Sequence, residues 1–159
     1  MHQSYVRPKY SNIFLLEMFN EKDKDLPIKT YIERWQGKHP TPYDFFFTMN
    51  DLFGEDLSWF WKPWYFDFCS PDLAISNVNL KNGNVIIEIC NPGHMPVPIR
   101  ITIHYMDGTV DEFNKSAYAW KENQETVTYT MRLKDDVKMI ELGKEEIPDI
   151  DESNNKWEP

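Results

Sequence analysis

Four histidines and two cysteines are the residues of this 159-residue chain with the strongest potential for metal or nucleophilic chemistry. Metal-dependent hydrolysis from a helix needs a second ligand four residues after the first, as in H-E-x-x-H, because that spacing brings both side chains to one face. The residues four after His2, His39, His94 and His104 are Val6, Tyr43, Pro98 and Gly108, so the motif does not occur. A zinc site assembled from His39, His94 and His104 is the remaining metal reading, and lone histidines are more often surface or hydrogen-bonded residues. Cys69 and Cys90 lie among apolar neighbours, where cysteine acts as a small hydrophobe rather than an activated thiolate. DIDESNN (149–155) has carboxylates at alternate positions like the start of a calcium loop. It carries Asn154 where that loop needs glycine, which leaves a solvated turn before a last strand around Trp157 as the better reading.

The aromatic run DLSWFWKPWYFDF (56–68) has the largest physical stake, since each buried Trp or Phe removes about 150–250 Å² from water. It can be a core or inter-domain wedge between the helices and the sandwich, or a ligand platform for sugar stacking or a peptide groove. A platform requires coplanar rings on one face, whereas consecutive aromatics point in several directions, so the wedge is favoured.

Elements that would carry these residues change character near residue 71. Before it, YSNIFLLEMF (10–19) reads as a buried helix, and Ile28, Tyr31, Ile32 and Trp35 recur at helical spacing. Thr41, Pro42 and Asp44 form a capping-box start for a helix through DFFFTMNDLF that stops at Gly54. Asp56 can cap a short helix, LSWFWK, which Pro63 is expected to kink or end. From Leu73 the period becomes two: Ile99, Ile101, Ile103 and Tyr105 alternate with Arg100, Thr102 and His104, and residues 127–133 behave alike. Asn82-Gly83 and Asp107-Gly108 are favoured tight-hairpin pairs. Further strands are expected near 116–121 and 136–142, and NPGHMPVP (91–98) reads as a loop or edge crossing. The fold class expected is therefore α+β in two parts: a short α-helical subdomain over 1–70, then an all-β Ig-like (fibronectin-III-like) sandwich of about seven strands over 71–159.

Net charge is −9, of which residues 135–159 carry −6. That balance argues against nucleic acid, which demands clustered Lys and Arg. No apolar run approaches the ~20 residues that span a bilayer, so no membrane insertion is expected. MHQSYVRPKY lacks the features of a signal peptide, and the compartment stays open. At this length roughly 70% of the unfolded surface can be buried, enough for a core without disulfides or a structural metal.

Residues 31–68, YIERWQGKHPTPYDFFFTMNDLFGEDLSWFWKPWYFDF, resemble the closing helical segment of the aminopeptidase N type zinc metallopeptidases, the gluzincins, especially bacterial forms. The matching positions are Trp35, Gly37 to Pro40, Pro42, Asp44 to Phe46, Gly54, Asp56, Leu57 and Trp59 to Trp61. Phe53 departs from the small residue usual there. SYVRPKYSNIFLLEMF (4–19) is similar to the family's Tyr-x-Lys-Gly/Pro element and its following helix, with Arg7 in the Lys slot and Pro8 in the Gly/Pro slot. That resemblance implies that Tyr5 matches the tyrosine whose phenol stabilises the oxyanion. The strand half resembles the β-domain that follows the catalytic domain, including a D-x-D-x-x-N-N-x-W ending.

The resemblance further implies that the zinc ligands and the loop gripping the substrate amino group belong before Met1, in a catalytic part that would be this chain's principal partner. Without three ligands there is no activated water, so the chain alone is expected to be catalytically inert, with no cofactor of its own and zinc confined to the parent. The parent would hydrolyse N-terminal peptide bonds, and an exported or periplasmic parent is compatible with the resemblance. The aromatic helical half, cut from that body, is expected to self-associate. The competing reading is a stand-alone β-sandwich module binding a peptide, glycan or protein partner.

Overall fold

The computed structural model describes residues 3–19 and 25–159, without the side chains of residues 3–6, 122 and 123. The chain divides into two compact units, Met1–Asp67 and Phe68–Pro159. Described elements comprise four α-helices and seven strands in two antiparallel sheets, a mixed α+β content.

In the first unit, α1 (Gln3–Met18) is longer than the apolar pattern indicated and carries Pro8 inside it. The segment Tyr5–Pro8 is thus helical rather than a lead-in to the helix. Phe14 and Leu15 are buried on α1, while Ile13 faces solvent. α2 (Leu26–Trp35) has Pro27 in its first turn, where the missing N–H costs nothing. Ile28, Tyr31 and Trp35 turn inward on it and Ile32 is exposed.

α3 (Pro42–Phe53) has the expected capping geometry. Asp44 Oδ2 accepts from Thr41 N at 2.7 Å and from Thr41 Oγ1 at 2.8 Å, and Gly54 closes the helix at φ +67°. α4 (Ser58–Trp61) starts one residue later than expected, with Leu57 at its N-cap position, and Asp56 Oδ1 accepts from Ser58 N at 2.9 Å in the turn before it. Pro63 does not end it. The chain widens into a π turn over Lys62–Phe66, closed by Asp67 N donating to Lys62 O at 3.0 Å. A proline has no N–H to give and its ring crowds the preceding turn, and the wider π turn accommodates both effects without breaking the helical path.

The second unit contains β1 (Ala74–Lys81), β2 (Asn84–Cys90), β3 (Ile99–Tyr105), β4 (Val110–Lys115), β5 (Thr126–Arg132), β6 (Val137–Leu142) and β7 (Lys156–Trp157). Their sheet orders are β1-β2-β5 and β4-β3-β6-β7. Alternation decides which face is buried: Val85, Ile87 and Ile89 on β2 and Ile99, Ile101, Ile103 and Tyr105 on β3 are all removed from solvent. Each such aliphatic side chain contributes about 1.5–3 kcal/mol when fully buried.

Asn82 and Gly83 both take positive φ (53° and 72°), as a two-residue primed turn requires. Asp107-Gly108 behaves differently from the tight hairpin expected. Gly108 N donates to Tyr105 O at 3.1 Å, and only Gly108 is left-handed (φ +86°), so the loop is four residues long. Asp107 Oδ1 accepts from Thr109 N at 2.8 Å and thereby stabilises the longer turn.

The strand expected near 116–121 is instead a 3₁₀ helix, Ala117–Asn123. Its period of three puts Ala117 and Trp120 on one side, where both are buried, and Trp120 Nε1 donates to Val97 O at 2.8 Å. Residues 91–98 form no strand, yet Met95 to Pro98 are buried.

Candidate functional site

The aromatic run packs inside the helical unit. Phe46 of α3 is its hub, with ring centroids 4.8 Å from Trp61, 5.0 Å from Tyr65, 5.9 Å from Phe66 and 6.1 Å from Tyr43. Trp64 lies 6.1 Å from Phe60 and 5.8 Å from Phe14 of α1. These edge-on and tilted geometries join α1, α3, α4 and the π turn into one core, the first of the two placements the wedge reading offered. Rings outside it include Tyr43, Phe47 and Phe66, which are 55%, 64% and 53% exposed, and Phe68, the last residue of the run, which is fully exposed.

Tyr5 lies in the first turns of α1, and its side chain is outside the described residues, as is His2. Polar contacts help hold the helix that carries Tyr5. Arg7 Nη1 donates to Asp67 O at 3.2 Å, and the hydroxyls of Ser11 and Tyr65 share a hydrogen bond of 2.6 Å. Ser11 is fully buried, and burial pushes the Tyr65 phenol above its ordinary range, so it stays neutral as a hydrogen-bonding group.

The other histidines do not converge. His39 is exposed in the loop after α2, His94 is exposed with φ +56°, and His104 stands on β3. Among the described residues no group of three or more His, Cys, Asp or Glu side chains is arranged to hold a metal ion. Neither Cys69 nor Cys90 is in a disulfide, both are half-buried, and burial raises the Cys90 thiol, which opposes a reactive thiolate.

Carboxylates of the 149–155 segment serve the backbone. Asp149 Oδ2 accepts from Leu73 N and Asn155 Nδ2, both at 3.1 Å, and Asp151 Oδ1 accepts from Ser153 N at 3.1 Å. Asp72 is pushed up by burial and then by the nearby Asp149 and Asp151 charges. A cleft of about 580 Å³ opens beside this segment, walled by Thr102, Glu141, Lys144, Glu152 and Lys156.

Sequence reasoning missed the cluster on that wall. Glu141 of β6 bridges His104 Nε2 on β3 at 2.8 Å and Lys156 Nζ on β7 at 2.9 Å. Alternation placed His104 on the outward face of its strand but gave no face to Glu141 or Lys156, and strand pairing alone brings the three together. The Lys156 hydrogen bond, with a smaller contribution from His104, holds Glu141 below the usual carboxylate range against the opposing effect of burial. A depressed folded-state value contributes stability above the unfolded value, near 4, and loses it as pH falls through the folded one. Accordingly, Glu141→Gln is expected to cost about 1 kcal/mol or less near neutral pH, because the group is partly solvated, and to flatten the acid limb of a stability-against-pH curve. Urea unfolding at a series of pH values checks this, and an unchanged acid limb contradicts it.

No helix among the described residues is long and apolar enough to cross a membrane. No protein-family model and no curated protein matches this sequence. Among solved structures, the fold is similar to aminopeptidase A of Legionella pneumophila, crystallised in complex with aspartic acid, with a TM-score of 0.60 and 17% identity. The likeness covers 85% of this chain and 16% of that one, so the chain spans about a sixth of the length of the protein it resembles.

Proposed function

We propose that this chain is a non-catalytic C-terminal region of an aminopeptidase N type zinc metallopeptidase, in which the helical unit completes the peptidase's helical subdomain and the strand unit is the β-domain that follows it in the chain. The observation that carries this reading is the fold likeness to an aminopeptidase, which runs over 85% of the chain. It is supported by the Thr41–Asp44 capping box and the Asp56–Ser58 hydrogen bond, which lie within the stretch whose motifs resemble that family. The strand order β1-β2-β5 and β4-β3-β6-β7 supports an Ig-like, fibronectin-III-like sandwich for the second unit.

The described residues do not fit a zinc ion, so no chemical step is assigned to one in this chain. Its own contribution to catalysis in the parent would be Tyr5, whose phenol donates a hydrogen bond to the oxyanion of the tetrahedral intermediate, and the Ser11–Tyr65 contact would hold the helix that presents it. The partner this implies is the zinc-bearing part of such an enzyme. In its absence, Tyr43, Phe47 and Phe66 offer an apolar surface through which the helical unit would self-associate.

The 159-residue chain is expected to bind no stoichiometric zinc and to leave aminoacyl reporter substrates uncleaved. Metal analysis together with a turnover assay tests this. One zinc per chain accompanied by aminopeptidase turnover would overturn the reading.

A further inference from the structure

Open strand edges invite another strand, and proteins commonly blunt them with bulges, charges or brevity. Three of the four sheet edges here are blunted in these ways. β1 has a bulge between Ile75 and Asn77, β4 carries Asp111, Glu112 and Lys115, and β7 is two residues long. β5 is different. It lies at the end of its sheet, pairs among the described residues with β2 alone, and keeps unbroken register over seven residues, Thr126–Arg132. Its sequence TVTYTMR is rich in β-branched residues, contains neither proline nor glycine, and has one charge.

The same sequence is nearly its own reverse. If two copies run antiparallel about a two-fold axis through Tyr129, Thr128 meets Thr130, Val127 meets Met131, and Thr126 meets Arg132. Each apolar residue then faces an apolar one, and no like charges oppose each other, although the second unit as a whole is acidic. Thr126, Thr128, Thr130 and Arg132 are exposed, while Val127 is buried and Tyr129 packs at a tilt against Phe113 with centroids 4.9 Å apart. The edge is therefore fixed in orientation by the core beneath it and presents its polar face outward.

We propose that β5 is a self-association edge that takes the β5 of a second copy of this chain, in this register, to extend β1-β2-β5 into a continuous six-stranded sheet. This surface is separate from the exposed aromatics of the helical unit, and does not depend on the peptidase reading.

The register makes the test specific. In the double variant Thr128→Lys with Thr130→Lys, every lysine faces a lysine of the other copy. In Thr128→Lys with Thr130→Glu, each lysine faces a glutamate. Sedimentation equilibrium of the full chain over a concentration series is expected to show the Lys/Lys variant losing one dimerisation step that the natural sequence has, and the Lys/Glu variant regaining it, whatever association the helical unit adds to all three. As a measurement needing no substitution, amide exchange in 126–132 of the natural chain is expected to slow as concentration rises. A natural chain that stays monomeric overturns the proposal. So do two variants that associate alike, or an association that leaves exchange in 126–132 unchanged, since each outcome assigns the contact to another face.

Discussion

Phe46→Ala is expected to destabilise the helical unit by about 3–5 kcal/mol, the range for deleting a fully packed aromatic side chain. Phe46 touches rings from its own helix, from α4 and from the π turn, so its loss opens a void that no single neighbour can fill. Rings that interlock edge-on cannot collapse inward without giving up their own contacts, which places the cost toward the upper end. Phe47, the next residue, is 64% exposed, and Phe47→Ala is expected to change stability by no more than about 0.5 kcal/mol. Because the chain has two compact units, a single unfolding curve can mix two transitions. Hydrogen exchange resolved by segment avoids this. Protection in α3 and α4 should fall for Phe46→Ala and hold for Phe47→Ala, with β2 unchanged in both. Equal effects from the two substitutions would mean that Phe46 is not the hub.

Gly93→Ala is the second large effect expected, and it falls on the strand unit. A Cβ at this position would stand 1.9 Å from Ser70 O and 2.8 Å from Asp72 Cβ. Both obstacles are backbone or close to it, so no flexible side-chain end can swing aside. The substitution must separate the 91–98 loop from the 70–72 segment, breaking the 3.0 Å bond from Ser70 N to Gly93 O and the Ser70–His94 bridge. Overpacking of this kind costs about 1–3 kcal/mol, and occasionally more. Amide exchange at Ser70 reads the event directly. It should accelerate in the variant by the factor matching the measured loss of stability, and unaltered protection there would contradict the close approach.

These two positions differ in how legible they were beforehand. The aromatic load around Phe46 was plain in the sequence, and so was the argument that consecutive rings suit a core. That Phe46 rather than Phe45 or Phe47 is the hub depends on the angular placement of α4 and the π turn, where Pro63 extends the helical path instead of stopping it. Gly93 sits in a Pro-rich stretch that reads only as a loop, and nothing nearby in the chain indicates that residues 70–72 press against it.

The same contrast runs through the fold. Thr41 with Asp44, Gly54, and Asn82-Gly83 announced their structures because each acts on backbone groups within a few residues. Asp107-Gly108 has equally favourable turn chemistry, yet Asp107 bonds to Thr109 and lengthens the loop. Residues 117–123 took a 3₁₀ path because burying Ala117 and Trp120 together outweighed any local strand preference. Tyr5 was identified only through resemblance, and no local physical signal distinguishes it from the other tyrosines.

What the amino-acid sequence determined by itself was therefore local and periodic: helix starts and stops, the alternation that separates buried from solvated strand faces, and the absence of an H-E-x-x-H motif. Tertiary structure alone decided which strands became neighbours, that Glu141 meets both His104 and Lys156, and that β5, among the described residues, pairs on one side with β2 alone. The physical reason is range. Caps and turns satisfy backbone groups a few residues away, so their causes are adjacent in the chain. Pairing and packing instead join residues tens of positions apart, and only the summed burial of the whole unit selects which of them meet.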